Sequence, residues 1–536
     1  MPLPKNENNN AKDAISEIKG RTSKTEQDYM DKMEKILKDN NAKIELVLDE
    51  AKLIALDVGL TMRHKSMKSD AIIPERIPAP FTLFPSPFPR QFFQQAYNIQ
   101  TALNLLYFRV MRDHNFLSAV YRNLLKYDQH FRNAFQIVQQ VHAEGIKQPY
   151  TVLFQRTDYM LCGKSADKQQ NSDYVLRQLE VNGGAIGGIS FSARTSALHR
   201  QILSKFGLDL SNAVEVQTNK GIVEALYRAW LKFGNPKAIV LMIFNDVPSS
   251  LYYERNSLFN DLILKFFGKA QIVSLTLAEC SAFLTLDPND FSLRFGDKII
   301  AVVFNQQMMI SANQAEMEAR RMIERSTAIK APSLAAALAH TKKVQQVLAK
   351  PGILEYFFKN PNEAPLIEAI RNTFTKIWRI YDENTQYNQE LIEKVKQQPN
   401  QFVLKKIEYA FTEKLVGRTY FGQEIHSRLS SFTAAERASY ILMEKLQPIT
   451  VKNHMVWPRK KPQQLLQDEE HENHQSFFEE VTPELGIFGT LFGNVVNGQV
   501  FYNDPLGHLL KTKLANENEG GVIRGNSAYD SAYLVD

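Results

Sequence analysis

The chain has 536 residues, of which 44% are hydrophobic and 23% are charged, as in an ordinary soluble globular protein of about two to four domains. Its 64 basic side chains exceed the 58 acidic ones only slightly and are spread along the chain, which argues against a nucleic-acid partner. The two cysteines, Cys162 and Cys280, exclude a disulfide framework and a zinc cluster, and no apolar run is long enough to span a membrane.

The N-terminal quarter of the chain is predicted to be mainly helical. Residues 1–25 are polar, which predicts disorder, and they lack the apolar core of a signal peptide. A cytoplasmic location is therefore expected, although a secreted chain whose signal peptide had been removed would look the same. Apolar spacing predicts helices around 33–37 and 47–54, and again over 91–142, while the prolines of 72–91 favour extended segments and turns.

Strands then alternate with helices, which predicts an α/β protein with several subdomains. Residues 150–155 and 176–181 read as a strand pair. Strands at 237–244, 271–277 and 298–304, with a helix over 256–268, predict a small parallel unit. A helix-rich segment spans 315–350, and further strands are predicted at 401–406, 438–446 and 484–492, before a closing segment at 507–522.

The stretch "LRQLEVNGGAIGGIS" at 176–190 places Glu180 and Asn182 where a predicted strand ends before two glycine pairs. The glycine spacing fits neither GxxxxGK[ST] nor GxGxxG, which excludes the two common phosphate loops. Glu-x-Asn puts two oxygen ligands on one side of an extended chain, and such ligands suit Mg²⁺ beside nucleotide phosphates. On this motif alone, a carboxylate capping a turn remains the alternative.

Other charged residues lie at or near the ends of predicted strands, namely Lys405, Glu444, Lys445, Glu484 and Lys513. Each by itself is typical of a surface charge beside a strand. As a set with the Glu-x-Asn motif they indicate a nucleotide held between sheets, with lysines on the phosphates, a Mg²⁺ bridge and backbone groups near 443–446 reading the adenine. No Ser-His-Asp or Cys-His pattern points to acyl-enzyme chemistry.

Several stretches resemble the eukaryotic glutathione synthetase family of the ATP-grasp superfamily. In chain order they are "APFTLFPS" (79–86), "RTDYM" (156–160), "QLEVN" (178–182), "SARTSALHR" (192–200), "HTKKVQQVLAKPGILE" (340–355), "FVLK" (402–405), "ERASYILMEKLQP" (436–448), "ELGIFG" (484–489) and "GHLLKTK" (507–513). They follow the family order over about residues 79–525.

The resemblance implies an ATP-grasp fold with an inserted small parallel α/β substrate-binding domain and a lid subdomain. The implied boundaries are a disordered N-terminus at 1–25, the first part of the main domain at 26–236, the substrate-binding domain at 237–340, a helical segment of the main domain at 341–400, a lid with a phosphate loop at 401–450 and the C-terminal part of the main domain at 451–536. A homodimer is expected on the resemblance alone.

The resemblance also implies that ATP phosphorylates the carboxylate of γ-glutamylcysteine, and that glycine then displaces phosphate to give glutathione. Arg156 and Lys405 would be catalytic, with Arg156 facing the substrate carboxylates. Glu180 and Asn182 would bind Mg²⁺. The remaining ATP contacts would come from Lys342, Lys405, Lys513, Met443, Glu444, Lys445, Leu446 and Glu484.

The departures from the family pattern lie mainly on the acceptor side. Ala185 and Gly187 stand where the family has two serines, and "FNQQMM" with Gln306 and Met309 replaces Arg-Asp-Gly-Tyr. Lys511 stands where the family has an arginine that is expected to bind the glycine carboxylate. Val522 and Ile523 follow the last glycine pair. The segment after Lys405 is longer than the family loop and lacks its glycine triplet, so either Glu408 or Glu413 would supply the third Mg²⁺ ligand.

Two functional classes follow from these patterns. One is an ATP-dependent carboxylate–amine ligase acting on a γ-glutamyl peptide and an amino acid, with glutathione synthesis itself weak or shifted. The other is a non-catalytic nucleotide-binding interaction protein that retains the fold. The phosphate and metal residues favour the ligase, since a pure binding module has no need of three lysines and Glu-x-Asn in register.

Overall fold

A computed structural model describes residues 24–40, 43–63, 76–163, 174–184, 186–244, 252–307, 313–407, 419–458 and 478–536. None of the helices within these ranges has the length and apolar character of a membrane span. Ala185, Met309, Glu408 and Glu413 lie outside the described residues, as does nearly all of the predicted disordered N-terminus.

The helices are α1 (Lys24–Asp39), α2 (Ile44–Asp57), α3 (Arg90–Arg112), α4 (His114–Tyr121), α5 (Leu124–Tyr127), α6 (Gln129–Ala143), α7 (Ile189–Lys205), α8 (Thr218–Phe233), α9 (Tyr252–Phe266), α10 (Leu277–Phe283), α11 (Gln314–Arg325), α12 (Leu334–Ala339), α13 (Lys342–Leu348), α14 (Ile353–Phe357), α15 (Ala364–Thr373), α16 (Gln386–Gln397), α17 (Gln423–Ser431) and α18 (Ala434–Ser439). Short 3₁₀ turns occur at Pro361–Glu363 and Pro399–Gln401.

The strands are β1 (Thr61–Arg63), β2 (Arg76–Pro78), β3 (Phe81–Thr82), β4 (Ser86–Pro89), β5 (Tyr150–Gly163), β6 (Tyr174–Gly183), β7 (Ile239–Ile243), β8 (Ile272–Leu275), β9 (Leu284–Leu286), β10 (Leu293–Phe295), β11 (Lys298–Asn305), β12 (Ile329–Ala331), β13 (Ile377–Arg379), β14 (Phe402–Lys406), β15 (Thr419–Phe421), β16 (Tyr440–Glu444), β17 (Val451–Asn453), β18 (Met455–Val456), β19 (Glu479–Asn494), β20 (Val500–Leu514), β21 (Ala528–Asp530) and β22 (Ala532–Val535).

The largest sheet is branched, and its main path is β18-β3-β21-β20-β19-β5-β12-β11-β10-β9. The long strands β6, β5, β19 and β20 form its antiparallel centre. On the other side, β8, β7, β11 and β12 run parallel to one another, and β12 joins them to β5. The parallel strands therefore continue the central sheet.

Apolar side chains cover both faces of this sheet. Successive residues of β5 point to opposite faces, so this strand contributes to the core on each side. Val152 and Phe154 pack into one buried cluster with Leu198 of α7 and Leu226 of α8. Leu153 packs on the opposite face, in a second cluster with residues of α3. The strand is thus buried on both sides, as expected where helices cover two faces of a sheet.

A separate antiparallel sheet has the order β13-β16-β14-β15. Phe402 and Leu404 of β14 pack against α16 and α17 in their own apolar cluster. Strand alternation turns Lys405 to the opposite face. Lys405 lies beside Ile441 of β16 in the register, and Ile441 belongs to the cluster that contains α3.

Most of the predicted elements are confirmed. The strand pair 150–155 and 176–181 exists as β5 and β6, the parallel strands are β7, β8 and β11, and the proline-rich segment is extended at β2, β3 and β4. The segment 315–350 is helix-rich as predicted, with α11, α12 and α13, and it also contains the short strand β12, while β13 lies among the helices of 341–400. The N-terminal helix starts at Lys24, two residues inside the segment predicted to be disordered.

Candidate active site

Charged side chains collect on one face of the four central strands β6, β5, β19 and β20. The register places Glu180 beside Asp158, Asn182 beside Arg156, and Glu484 beside Lys511. Because side chains of a strand alternate between faces, residues two apart share one face. Lys513, two residues after Lys511, therefore joins the same row. We call Arg156, Asp158, Glu180, Glu484, Lys342, Lys405, Lys511 and Lys513 the charged cluster.

Asp158 is the buried centre of this cluster, with no exposed surface. Arg156 donates two hydrogen bonds to it, from Nε at 2.6 Å and from a terminal nitrogen at 2.8 Å. Such a bidentate pair holds both side chains in one geometry. Gly486 makes room for it, since a Cβ there would lie 2.7 Å from Asp158 Oδ1 and 2.8 Å from Arg156 Cδ.

Lys511 joins two carboxylates across the face. Its Nζ lies 3.1 Å from Asp158 Oδ2 and 2.5 Å from Glu484 Oε1. Burial lowers the pKa of Lys511, but Asp158 and Glu484 outweigh burial and raise it above its usual value. Burial also raises the pKa of Glu484, with further contributions from Asp158 and Glu180 that oppose the effect of Lys511. The positive charge of Lys511 is therefore balanced within the protein.

Glu180 and Asn182 stand at the end of β6 and on the same side of it, as the Glu-x-Asn spacing predicts. Asn182 Nδ2 donates to Glu180 Oε1 at 3.1 Å and to Asp158 Oδ2 at 2.9 Å, while Lys342, the first residue of α13, contacts Glu180 Oε2 at 3.0 Å. Burial raises the pKa of Glu180, but Lys342, Lys405 and Lys511 together hold it well below its usual range. Glu180 is thus a carboxylate at neutral pH.

Two lysines of the cluster have no carboxylate within ion-pair distance among the described residues. Burial lowers the pKa of Lys405, and the nearby ammonium of Lys342 lowers it further against the effect of Glu180. Lys513 donates to the backbone carbonyl of Glu517. Burial lowers the pKa of Lys513 too. Since the other cluster cations each face a carboxylate, these two leave an excess of positive charge that an anionic ligand would balance.

The predicted adenine segment lies at the end of β16, next to the cluster. Met443 is buried, and the backbone N–H groups of Glu444 and Lys445 donate to Lys376 O and Gln401 O. Lys445 Nζ donates to Asn518 Oδ1 at 3.0 Å. This contact links the four-stranded sheet to the turn that follows β20, beside Lys513.

The structure brings together most of the residues predicted for the site. Glu484 lies within β19 rather than at a strand end, so its position comes from strand pairing. Arg156, predicted to face substrate carboxylates, pairs with Asp158 and donates to Gly187 O at 2.6 Å. Lys511, predicted to bind an amino acid carboxylate, pairs internally as described above.

Three other predicted substrate residues are not among the charged side chains of the cluster. Gln306 follows β11, where its backbone N–H donates to Ile243 O at 2.7 Å. Val522 is buried in an apolar cluster, and Ile523 is in the turn that follows Gly521. No polar contact joins Gln306 to the charged cluster in the part of the chain that the structure describes.

Two site residues were missed by sequence reasoning. Asp158 lies in the quoted stretch "RTDYM", two residues after Arg156, so strand alternation places both on one face and was a usable signal. Glu254, in α9, is 5% exposed, and one of its oxygens has no hydrogen-bond partner among the described residues. Its helix carries no motif, so the sequence offered no signal for it.

The described residues contain no group of three or more His, Cys, Asp or Glu side chains placed to hold a metal ion. A divalent cation would therefore depend on Glu180 and on Asn182 Oδ1, which accepts no hydrogen bond from a described residue. One carboxylate and one amide oxygen fit Mg²⁺, which keeps several waters and takes its other ligands from phosphates.

Comparisons with known proteins point to one family. Residues 41–534 match the family model described as the eukaryotic glutathione synthase ATP-binding domain. Glutathione synthetase of Mus musculus is 32% identical over 465 residues, which cover 85% of this chain and 90% of that protein. The Homo sapiens enzyme is 32% identical over 467 residues, with the same coverage of 85% and 90%.

A solved structure gives a further match. The chain is similar to a glutathione synthetase-like effector (GSS30) from Globodera pallida in its apo form, with 34% identity and a TM-score of 0.69. The match covers 91% of this chain and 96% of that one. With its mixed α/β sheet, its charged strand face and a family match over most of its length, the chain belongs to the eukaryotic glutathione synthetase family.

Proposed function

We propose that the protein is an ATP-dependent carboxylate–amine ligase of the glutathione synthetase type. The observation that carries the proposal is the excess positive charge of Lys405 and Lys513 beside Glu180 and Asn182. Buried cations without carboxylate partners are costly unless a ligand balances them. The phosphates of a nucleotide supply that balance, and the family match supports ATP.

In this proposal the nucleotide lies between the central sheet and the four-stranded sheet. Residues 401–450 would form the lid of an ATP-grasp fold, and residues 237–340 would form its substrate-binding domain. Lys405, Lys342 and Lys513 contact the phosphates. The adenine lies against Met443 to Leu446. Because the N–H groups of Glu444 and Lys445 are already bonded, the Leu446 N–H is the backbone donor left to read the base. Glu484 serves the ribose.

Glu180 and Asn182 would hold Mg²⁺, with the third ligand from Glu408 or Glu413. The metal would neutralise phosphate charge during transfer. Lys342 keeps Glu180 ionised and positions it, since the ammonium contacts the oxygen that Asn182 does not. The role of the protein here is to hold a charged ligand pair ready at the end of one rigid strand.

The reaction has two steps. A carboxylate oxygen of the donor attacks the γ-phosphorus, the bond to the bridging oxygen of ADP breaks, and an acyl phosphate forms. The amine then attacks the acyl carbon, phosphate leaves with the transferred oxygen, and the amine loses a proton. Lys405 and its neighbours offset the charge on the transferred group. Water must be excluded because an acyl phosphate hydrolyses.

The acceptor side differs from what glutathione synthesis needs. Arg156 and Lys511 are balanced by Asp158 and Glu484, so they attract a substrate carboxylate weakly. Ala185 and Gly187 also stand where the family has two serines, and the segment with Gln306 and Met309 replaces Arg-Asp-Gly-Tyr. We therefore propose that synthesis of glutathione from γ-glutamylcysteine and glycine is weak, and that the natural substrates are shifted. A homodimer is proposed from the family alone.

A second candidate is a non-catalytic nucleotide-binding interaction protein. It is favoured by the similarity to a structure described as a glutathione synthetase-like effector, and by the internal pairing of Lys511. The two candidates differ in whether bound ATP turns over.

ADP release measured over a panel of γ-glutamyl peptides and amino acids separates them. A ligase releases ADP only when a carboxylate donor is present, and Lys405→Met removes that release. Lys406→Met is the matched control, since the adjacent residue of β14 points to the opposite face. Nucleotide binding without donor-dependent ADP release for any member of the panel would favour the second candidate.

A further inference from the structure

A cavity of about 70 Å³ lies at one end of the central sheet, away from the charged cluster. Residues of α3, α6, α11 and α12 line it, together with residues of β5 and β12 and the turn that follows β19. Thr151 of β5 is one of them, and it precedes Arg156 of the charged cluster by five residues. Five residues of a strand span about 16 Å. The cavity is therefore separate from the candidate active site.

Lys330, in β12, is the buried cation of this cavity. It is 7% exposed, and its Nζ donates to Ser326 O at 2.8 Å. No carboxylate lies within ion-pair distance of it in the part of the chain that the structure describes. Glu324 also lines the cavity, but its Oε1 already pairs with Arg320 at 3.1 Å and accepts the Leu334 N–H at 2.9 Å. The ammonium of Lys330 thus lacks a partner of opposite charge, which is costly for a buried group.

The ammonium form of Lys330 persists at neutral pH. Burial lowers the pKa of Lys330 to about 8, while Glu324 opposes this shift and Arg320 adds to it. An ammonium has three donors, and Ser326 O takes one of them. Two N–H groups of Lys330 therefore remain for a ligand.

Arg112, the last residue of α3, brings a second cation to the cavity wall. Its guanidinium donates to Val495 O at 2.7 Å and to Val496 O at 3.2 Å, and no carboxylate of a described residue forms an ion pair with it. Backbone carbonyls satisfy these donors but do not neutralise the charge. Arg112 and Lys330 therefore give the cavity an excess of positive charge.

The groups at the mouth of the cavity do not offset this excess. Lys147 and His142 are exposed there, and Lys147 Nζ donates to Glu144 O at 2.9 Å. The carboxylate of Glu144 is itself paired with Arg325 at 2.7 Å. Burial and the neighbouring His114 lower the pKa of His142, which is therefore neutral at pH 7. The cavity thus favours an anion.

The remaining walls are mainly apolar. Met111 and Val138 belong to a buried apolar cluster, and Ala335 of α12 packs against that cluster. Pockets for drug-sized ligands usually measure about 300–1,000 Å³, so this cavity is too small for a nucleotide or a peptide. An anion that fits it is small and carries its charge at one end of a short apolar body.

We propose that this cavity binds a small monocarboxylate with a short aliphatic chain. The carboxylate accepts N–H groups from Lys330 and Arg112, and such charge-assisted hydrogen bonds balance the two cations. The aliphatic chain lies against Val138 and Ala335. This site goes beyond the proposed ligase function and does not depend on it, because no residue of the charged cluster lines the cavity.

Three probes of similar size test the proposal on the full chain. Butyrate has the charge and the chain, butyramide has the chain without the charge, and inorganic phosphate has charge without the chain. Their dissociation constants are measured from the broadening of ligand resonances in NMR titrations at pH 7, without nucleotide. We expect butyrate to bind at least about tenfold more tightly than either of the other two.

Variants locate the binding. Lys330→Met should bring butyrate and butyramide to within about threefold of each other, and Ala335→Leu, which fills the cavity without changing its charge, should weaken butyrate binding at least about tenfold. Lys343→Met is the matched control, since Lys343 is 8% exposed and burial likewise lowers its pKa to about 8. It should leave the affinity for butyrate unchanged. Cooperative thermal unfolding, followed by circular dichroism, shows which variants are folded.

Several results would overturn the proposal. Butyramide or phosphate binding as tightly as butyrate would do so, as would a preference for butyrate that survives Lys330→Met or an affinity that is unchanged in Ala335→Leu. If Lys330→Met does not fold, Ala335→Leu decides the matter alone. Because the titrations contain no nucleotide, their outcome is independent of the ADP-release assay.

Discussion

Replacing Glu254 by glutamine should stabilise the protein, and increasingly so as pH rises. Burial raises the pKa of this carboxyl from 4.5 to about 7, although backbone N–H groups at the start of α7 oppose the shift. The folded protein therefore binds the proton more tightly than the unfolded chain does. The wild type loses stability between roughly pH 4.5 and 7, and the loss is complete above the folded pKa.

The shift of roughly 2.5 pKa units corresponds to about 3 kcal/mol at most. Because glutamine has nearly the same shape and carries no charge, Glu254→Gln should gain most of this at pH 8 and less than about 1 kcal/mol at pH 5. Urea unfolding at the two pH values measures the difference. Glu368→Gln, at an exposed glutamate of α15, is the control and should change little at either pH. A free-energy difference between wild type and Glu254→Gln that is equal at pH 5 and 8 would refute the reasoning.

Four further outcomes are expected. Mg-ATP should raise the melting temperature, and Glu180→Gln should remove most of the part of this rise that depends on Mg²⁺. An unchanged melting curve of the wild type at millimolar Mg-ATP would count against nucleotide binding. Gly486→Ala should lower the free energy of unfolding by about 1–3 kcal/mol in urea titrations, because the added Cβ would collide with Asp158 and Arg156. An unchanged free energy of unfolding would contradict that packing. Turnover with ATP, γ-glutamylcysteine and glycine should fall more than tenfold below a typical median of about 10 per second. Light scattering should give a dimer, and a mass near one chain of 61.4 kDa would reject it.

The parts of the fold that depend on local pattern were predictable. Short apolar segments identified β5, β6, β7 and β11, and Glu-x-Asn correctly placed two side chains on one side of β6. The strand β12 was missed because its three residues sit between helices, and so short a segment carries too little periodicity. Its burial comes from pairing with β11 and β5, which the local sequence does not encode.

The pairing within the site was not predictable for a related reason. Lys511 meets Glu484 across the consecutive strands β19 and β20, but it meets Asp158 of β5 only through the register of the sheet, because these two residues are 353 positions apart in sequence. A motif says which residue types are present, but the partner of each charge depends on register. Sequence reasoning therefore assigned Arg156 and Lys511 to substrate carboxylates without seeing that protein carboxylates already balance them.

The origin of the oxygen in the released phosphate tests the proposed ligase chemistry most directly. The donor that best supports ADP release is labelled with ¹⁸O in its carboxylate and incubated with Mg-ATP and an amine, and the phosphate is analysed by mass spectrometry. An acyl phosphate route transfers one ¹⁸O from the donor to phosphate in each turnover, and Lys405→Met should abolish the transfer. Phosphate without label, or the absence of any donor that supports ADP release, would contradict the assignment of this protein as a carboxylate–amine ligase.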